Sequence, residues 1–360
     1  MSVMKEMIED VTTKILQKYS TKEVVNGAEN GQWAEVLWQN LEEYGVLTVG
    51  IPEELGGSGG DYEDGLSILR LAGKYSAPIP LAETYIANWI LAEFGERITN
   101  EIVTVALANT VQIEKVEHGW LVQGCAKNVP WGRFAKKVLL YGKTSDGYFL
   151  TLIPLENAAI QPGKNIAGEA RDEIIFNQVV YENITMIKAE RSEIDKKTLY
   201  LGALMKSVMM AGALENILEM TINHTNERSQ FGRPINRFQA VQHHLASLAG
   251  ETAAAGIAAQ YAVSSFHENP FSKEIALAKI RINEAAGKAT QIAHQVIAAI
   301  GFTYEHTLHH STRRLWSWRD EFGTESEWEK IVTEELKKLE NEDLWSMITG
   351  VKSLEKRVEL

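Results

Sequence analysis

Over the first 95 residues the apolar positions fall at helical spacing, with Met7, Val11 and Ile15 on one face and then Trp33, Val36, Leu37 and Leu41 on another. This pattern predicts a helical block. It is broken at Ile51-Pro52-Glu53-Glu54-Leu55-Gly56-Gly57-Ser58-Gly59-Gly60, whose glycine density favours a loop over a regular element. From about 100 to 190 the pattern changes to short runs rich in Val, Ile, Thr and Tyr, punctuated by His118-Gly119, Ser145-Asp146-Gly147 and Gln161-Pro162-Gly163. Lys137 to Tyr141 and Tyr148 to Ile153 flank the Ser-Asp-Gly turn as a hairpin, and Ile174 to Tyr181 reads as a late strand of the same sheet.

Helical spacing returns after about 195. Leu201, Leu204, Val208 and Ala211 mark one long helix, Phe238, Val241, Leu245 and Leu248 a second, and Ile275, Ala278 and Ile282 a third. Trp328, Val332, Leu336 and Leu339 share a face of a fourth. The expected class is α+β: an N-terminal helical domain (1–98), a middle β domain (99–192), a C-terminal four-helix bundle (193–345) and a tail (346–360). Segregated blocks of this kind exclude an alternating βαβ chain and with it a doubly wound nucleotide fold. The glycine loop matches neither a dinucleotide fingerprint nor a phosphate-binding P-loop.

Composition narrows the picture. The 360 residues carry 36 Lys and Arg against 48 Asp and Glu, a net charge of −12, which is the wrong sign for a protein that binds a polyphosphate backbone. No nucleic-acid partner is expected. Cys125 is the single cysteine and can form neither an intrachain disulfide nor a cysteine metal site, which fits a reducing compartment, and the cytoplasm is the expected location. The N-terminus lacks the apolar run of a secretory signal, and the uncharged stretch from Thr252 to Phe266 is too short to cross a bilayer, so it reads as a packed helix and no membrane partner is expected.

The sharpest local feature is Arg228-Ser229-Gln230-Phe231-Gly232-Arg233-Pro234-Ile235-Asn236-Arg237-Phe238-Gln239. Gly232 and Pro234 end one helix and let the next begin, leaving arginines and unpaired amides around an irregular junction. Such a junction suits anionic ligands, because guanidinium groups and helix N-terminal amides both attract phosphate oxygens. A structural helix turn with exposed arginines is the simpler account of the same residues.

This segment closely resembles the signature of the acyl-CoA dehydrogenase family: Arg, two residues, Phe-Gly, then Ile, two residues and Phe-Gln. Gln295-Val296-Ile297-Ala298-Ala299-Ile300-Gly301-Phe302 is similar to a second family segment, with Ala298 and Ala299 in place of two glycines, and residues 51–57 resemble its N-terminal loop. The resemblance spans almost the whole chain. It implies a flavoprotein binding FAD between the β domain and helices of two subunits, in a homotetramer or a heterotetramer with a homologous chain. By carry-over, Arg228 would contact the FAD pyrophosphate, Phe231 would pack near the adenosine and Gln239 would lie at the adenine end. Gln295 and Gly301 would reach the FAD of a neighbouring subunit, and Pro130 and Trp131 would line the flavin ring. The expected substrate is an acyl-CoA thioester and the expected acceptor an electron-transfer flavoprotein, within fatty acid metabolism.

The chemistry implied is α,β-desaturation, in which a carboxylate removes the α-proton and flavin N5 accepts the β-hydride. Here the sequence departs from its relatives. The segment Arg313 to Thr324 puts Phe322 where the family's catalytic Glu stands, and the alternative base position falls near Gly202 and Ala203. Glu321, one residue away, is the candidate base. Two further readings stay open: a FAD-supporting subunit without a base, completed by a homologous chain as in steroid side-chain degradation, and a non-catalytic flavin-binding scaffold. The family's Gly- and Ser-rich middle segment is degenerate at Ala106 to Thr110. His243-His244 and His309-His310 lack partners at metal-ligand spacing, so no metal is expected. Trp316, Trp318, Phe302 and Tyr304 could line a pocket but are more simply core.

Overall fold

The computed structural model describes residues 3–98 and 100–337. The N-terminal block consists of α1 (Val3–Tyr19), α2 (Lys22–Glu29), α3 (Glu35–Glu43), α4 (Tyr62–Lys74) and α5 (Leu81–Glu93). Polar residues set the starts of two of them. Thr21 accepts from Val24 N at the head of α2, and Asp61 and Asp64 form a reciprocal capping box on α4. The glycine run before α4 is a compact turn rather than an open loop. Gly50 N donates to Gly59 O and Gly59 N to Ile51 O, and a Cβ at Gly57 would lie 2.1 Å from Ile51 O. α5 is mostly apolar and buried on every side from Leu81 to Leu91, Glu83 included, with Trp89 Nε1 donating to Val49 O at 3.1 Å.

The middle block is a seven-stranded sheet of β1 (Val103–Val116), β2 (Gly119–Pro130), β3 (Lys137–Thr144), β4 (Gly147–Pro154), β5 (Ala159–Gln161), β6 (Arg171–Tyr181) and β7 (Thr185–Ile187). The order is β5-β6-β2-β1-β3-β4-β7, and β1 with β3 is the parallel pair. The hairpin expected around Ser145-Asp146-Gly147 joins β3 to β4. β1 slips in register against β3 between Val105 and Thr110, so residues 106–109 bulge out of the ladder.

The C-terminal block holds five helices among the described residues rather than four: α6 (Arg191–Glu227), α7 (Gln239–Glu268), α8 (Lys273–Ile297), α9 (Leu308–Asp320) and α10 (Glu325–Leu336). The additional helix, α9, is rich in Arg, His and Trp, so its buried face carries no simple apolar stripe. Leu339 and the tail lie outside the described residues. A two-residue hairpin, β8 (Ser229–Gln230) with β9 (Arg233–Pro234), joins α6 to α7. α6 is long and apolar enough to cross a bilayer, yet 83% of its apolar window is buried inside the protein. It crosses α4 at two glycines, since a Cβ at Gly73 would lie 2.0 Å from Met209 O and one at Gly212 1.9 Å from Arg70 O. One apolar core runs through both helical blocks and the near face of the sheet, and a second fills the far face.

Candidate functional site

Where the sheet meets the C-terminal helices there is a cavity of about 990 Å³. The bulge of β1 supplies Ala106, Leu107, Ala108 and Asn109, the end of β2 supplies Asn128 and Pro130, and α6, α9 and the turn after α9 close the other side. Pro130 lines the cavity, whereas Trp131 is turned away and buried, with its ring 6.2 Å from Phe134. Asn128, two residues before Pro130, also lines the cavity, at φ 54° where β2 slips in register against β6.

The turn after α9 is held from several directions. Lys279 on α8 donates to the carbonyls of Trp318 at 2.8 Å and Arg319 at 3.2 Å, and Asn283 donates to Arg319 O at 3.0 Å. These groups satisfy the orphan carbonyls at the end of α9. Burial lowers the Lys279 ammonium to about 7 against the partial pull of Glu321. Trp328 on α10 donates to Phe322 O. Phe322 follows with φ 54°, and its ring packs on Gly202 of α6 so closely that a Cβ there would lie 2.2 Å from it. The two positions at which the resemblance puts a base are therefore in contact, and neither bears an acid.

Glu321 lines the cavity, but its carboxylate is engaged by Arg171 of β6 and, at 3.1 Å, by Lys206 of α6. Burial alone would raise its pKa; the attraction and hydrogen bonds of Arg171 and Lys206 outweigh this and hold it well below the usual carboxylate range. A carboxylate so stabilised is a weak proton acceptor. It belongs to a row of eight alternating charges. From Glu321 the row runs one way through Lys206 to Glu83 of α5 at 3.2 Å. The other way it runs through Arg171 to Glu169, Arg314, Glu29 of α2 and Arg313. Trp318 Nε1 also donates to Glu169 at 3.1 Å. The row touches all three blocks, and no local sequence signal pairs its members.

The anion-binding candidates sit elsewhere. Arg228 is exposed at the end of α6, Phe231 is 92% exposed at the tip of the hairpin, and Gln239 is the first residue of α7 and exposed. Among the described residues Arg228 and Arg237 have no carboxylate partner, while Arg233 stacks over Phe238 at 4.3 Å. Gln295 is exposed near the end of α8, and Gly301 is buried in the turn beyond it, next to exposed Phe302. Ala298 ends α8 with φ 60° and ψ −145°, a conformation that suits glycine. Ala298→Gly is expected to raise stability by about 1 kcal/mol, strain relief exceeding glycine's entropy cost. Urea unfolding checks this, and a lower midpoint would refute it.

Residues 3–104 match the family described as Acyl-CoA dehydrogenase, N-terminal domain, and residues 193–331 the one described as Acyl-CoA dehydrogenase, C-terminal domain. The chain belongs to the acyl-CoA dehydrogenase family. It is 26% identical over 314 residues to the acyl-CoA dehydrogenase IpdE2 of Mycolicibacterium smegmatis, covering 86% of this chain and 91% of that one. Its fold is similar to that of a chain in the ChsE4-ChsE5 complex from Mycobacterium tuberculosis, with TM-score 0.80, 22% identity, and coverage of 94% of this chain and 99% of that chain. Butyryl-CoA dehydrogenase from Megasphaera elsdenii gives TM-score 0.83 at 17% identity, covering 94% of this chain and 99% of that one.

Acyl-CoA dehydrogenases are FAD flavoproteins, and the donors exposed here suit that cofactor's diphosphate: guanidinium groups with no carboxylate partner among the described residues, beside the start of a 30-residue helix that no side chain caps. At the cavity, Pro130 and the Ala106 to Ala108 bulge offer apolar surface and no side-chain donor.

Glu29, His309 and His310 offer ligand atoms within 4.8 Å of one another, but Glu29 already pairs with Arg313 and Arg314, whose charges repel a cation. His310 shares a hydrogen bond with Asn26 at 2.7 Å; burial first, then Arg314 and His309, pushes its pKa down to about 3. Below about pH 6.5 the unfolded chain takes up a proton that the folded chain refuses, so stability should fall as pH drops from there toward 3. Thermal midpoints across that range should show this slope, and His310→Gln should flatten it; an unchanged slope would count against His310.

Proposed function

We propose that this chain is the FAD-supporting, base-lacking subunit of a heteromeric acyl-CoA dehydrogenase. The assembly would be a cytoplasmic tetramer that desaturates an acyl-CoA at its α and β carbons and passes electrons to an electron-transfer flavoprotein. FAD, when bound, supplies the acceptor for the β-hydride at N5. This chain's part is to hold the cofactor: Arg228 neutralises the diphosphate, Phe231 and Gln239 pack at the adenosine end, and Gln295 and Gly301 serve the neighbouring subunit. Asn128, Pro130 and the β1 bulge form the surface against which a ring would rest.

One observation carries the reading: Phe322 lies on Gly202, so neither base position bears a carboxylate. A displaced base at Glu321 is the weaker alternative, because proton uptake there would break ion pairs to Arg171 and Lys206. Anaerobic mixing with acyl-CoAs tests the choice. The chain alone should leave its flavin oxidised, and bleaching should appear once a homologous chain bearing the family Glu is added. Bleaching by the chain alone that is lost in Glu321→Gln would favour the displaced base. A protein that stays colourless with added FAD, with or without that partner, would favour a scaffold.

A further inference from the structure

The cavity brings apolar and charged side chains together. Val105, Leu107, Leu199 and Phe322 line it, and Glu83, Arg171 and Glu321 line the same space. The side chain of Glu321 is 21% exposed and that of Arg171 11%, and both line the cavity, so a ligand filling it would displace their remaining water. An unsubstituted alkyl group would strip that hydration and return no hydrogen bond in its place. A neutral oxygen on the acyl group would restore a hydrogen bond, as donor to Glu321 or acceptor from Arg171. A carboxylate is less suited. Arg171 and Lys206 are already taken up by Glu169, Glu321 and Glu83, and the incoming charge would face Glu83, Glu321, Asp195 and Asp320 across the same space. At the rim, Lys127 and Lys164 have no ion-pair partner among the described residues and suit the phosphates of CoA.

We infer that this cavity selects CoA thioesters whose acyl group carries a neutral hydrogen-bonding oxygen, a hydroxyl or a ketone, away from the thioester, and that Glu321 and Arg171 are the specificity-determining residues. The inference rests on the acyl-CoA reading above and deepens it. It needs no turnover, so calorimetric binding to the full FAD-loaded chain tests it. The probes are butyryl-, hexanoyl- and octanoyl-CoA, their terminally hydroxylated counterparts, and adipoyl-CoA. At the chain length that reaches Glu321 and Arg171, the hydroxylated thioester should bind about tenfold tighter than the unsubstituted one, the effect of one buried hydrogen bond. Adipoyl-CoA should bind more weakly than hydroxylated hexanoyl-CoA.

Glu321→Gln removes one negative charge and leaves Arg171 and Lys206 undercompensated, so adipoyl-CoA should become the tighter of those two ligands. A purely structural role for Glu321 would not reverse that order. Equal or tighter binding of the unsubstituted thioesters at every length, no binding of any thioester, or an unchanged order in a folded Glu321→Gln protein would overturn the inference. Should that variant fail to fold, the wild-type ranking alone decides. Flavin content and partner-dependent bleaching do not depend on this ranking, so a failure here is distinguishable from a failure of the subunit reading.

Discussion

Lys206→Met is expected to destabilise the protein by about 3–5 kcal/mol, the cost of removing one partner from a buried ion pair. Lys206 is 2% exposed and stands between Glu83 at 3.2 Å and Glu321 at 3.1 Å. Burial would lower its pKa, but Glu321 and Glu83 together raise it above the ordinary lysine value, so the ammonium stays charged at neutral pH. Methionine fills a similar volume and leaves Glu83 without its cation, while Glu321 keeps only Arg171. The loss should read as a lower urea midpoint, with Lys206→Arg recovering part of it. Adding Glu83→Gln to Lys206→Met should also recover part, because one orphaned charge is then gone. A change below about 1 kcal/mol, the size of a surface pair, would mean that Lys206 is solvated and the charge row carries no weight.

Phe322→Glu is expected to give the chain a proton acceptor of its own. General-base assistance contributes about 10²–10⁴-fold to such a step, so acyl-CoA should bleach the flavin without a partner chain. Geometry supports the exchange, because the turn is fixed by contacts that do not involve the phenyl ring. Lys279 and Asn283 hold the end of α9, and Trp328 holds the carbonyl of residue 322. Glu321 is engaged elsewhere and would not compete for the α-proton. Anaerobic bleaching rates with and without the variant provide the measurement. Bound flavin that stays oxidised in Phe322→Glu would mean that the cavity lacks more than a base, with Pro130 and the degenerate β1 bulge the next positions to restore.

Much of the architecture was legible in periodicity. The three long helices, the β3–β4 hairpin and the helix, sheet, helix order follow from spacing, because an amphipathic helix or strand must turn its apolar face inward wherever it packs. α9 escaped that reading because its buried face mixes Leu308, Leu315 and Trp318 with His310 and Arg314, whose side chains meet Asn26, Glu29 and Glu169 far away in sequence. Trp131, expected to line the flavin ring, is buried and does not line the cavity. Its backbone turns to φ 54° just past the end of β2, a conformation that the local residue pattern does not announce.

The linear chain by itself determined the element types, the family signature around Arg228 and the absence of an acid at 322, since these depend only on residue identity and near neighbours. Only the tertiary structure decided what Glu321 does. Its partners Arg171 and Lys206 lie more than a hundred residues away on other elements, and a carboxylate's basicity is set by the charges and solvent around it rather than by its place in the chain.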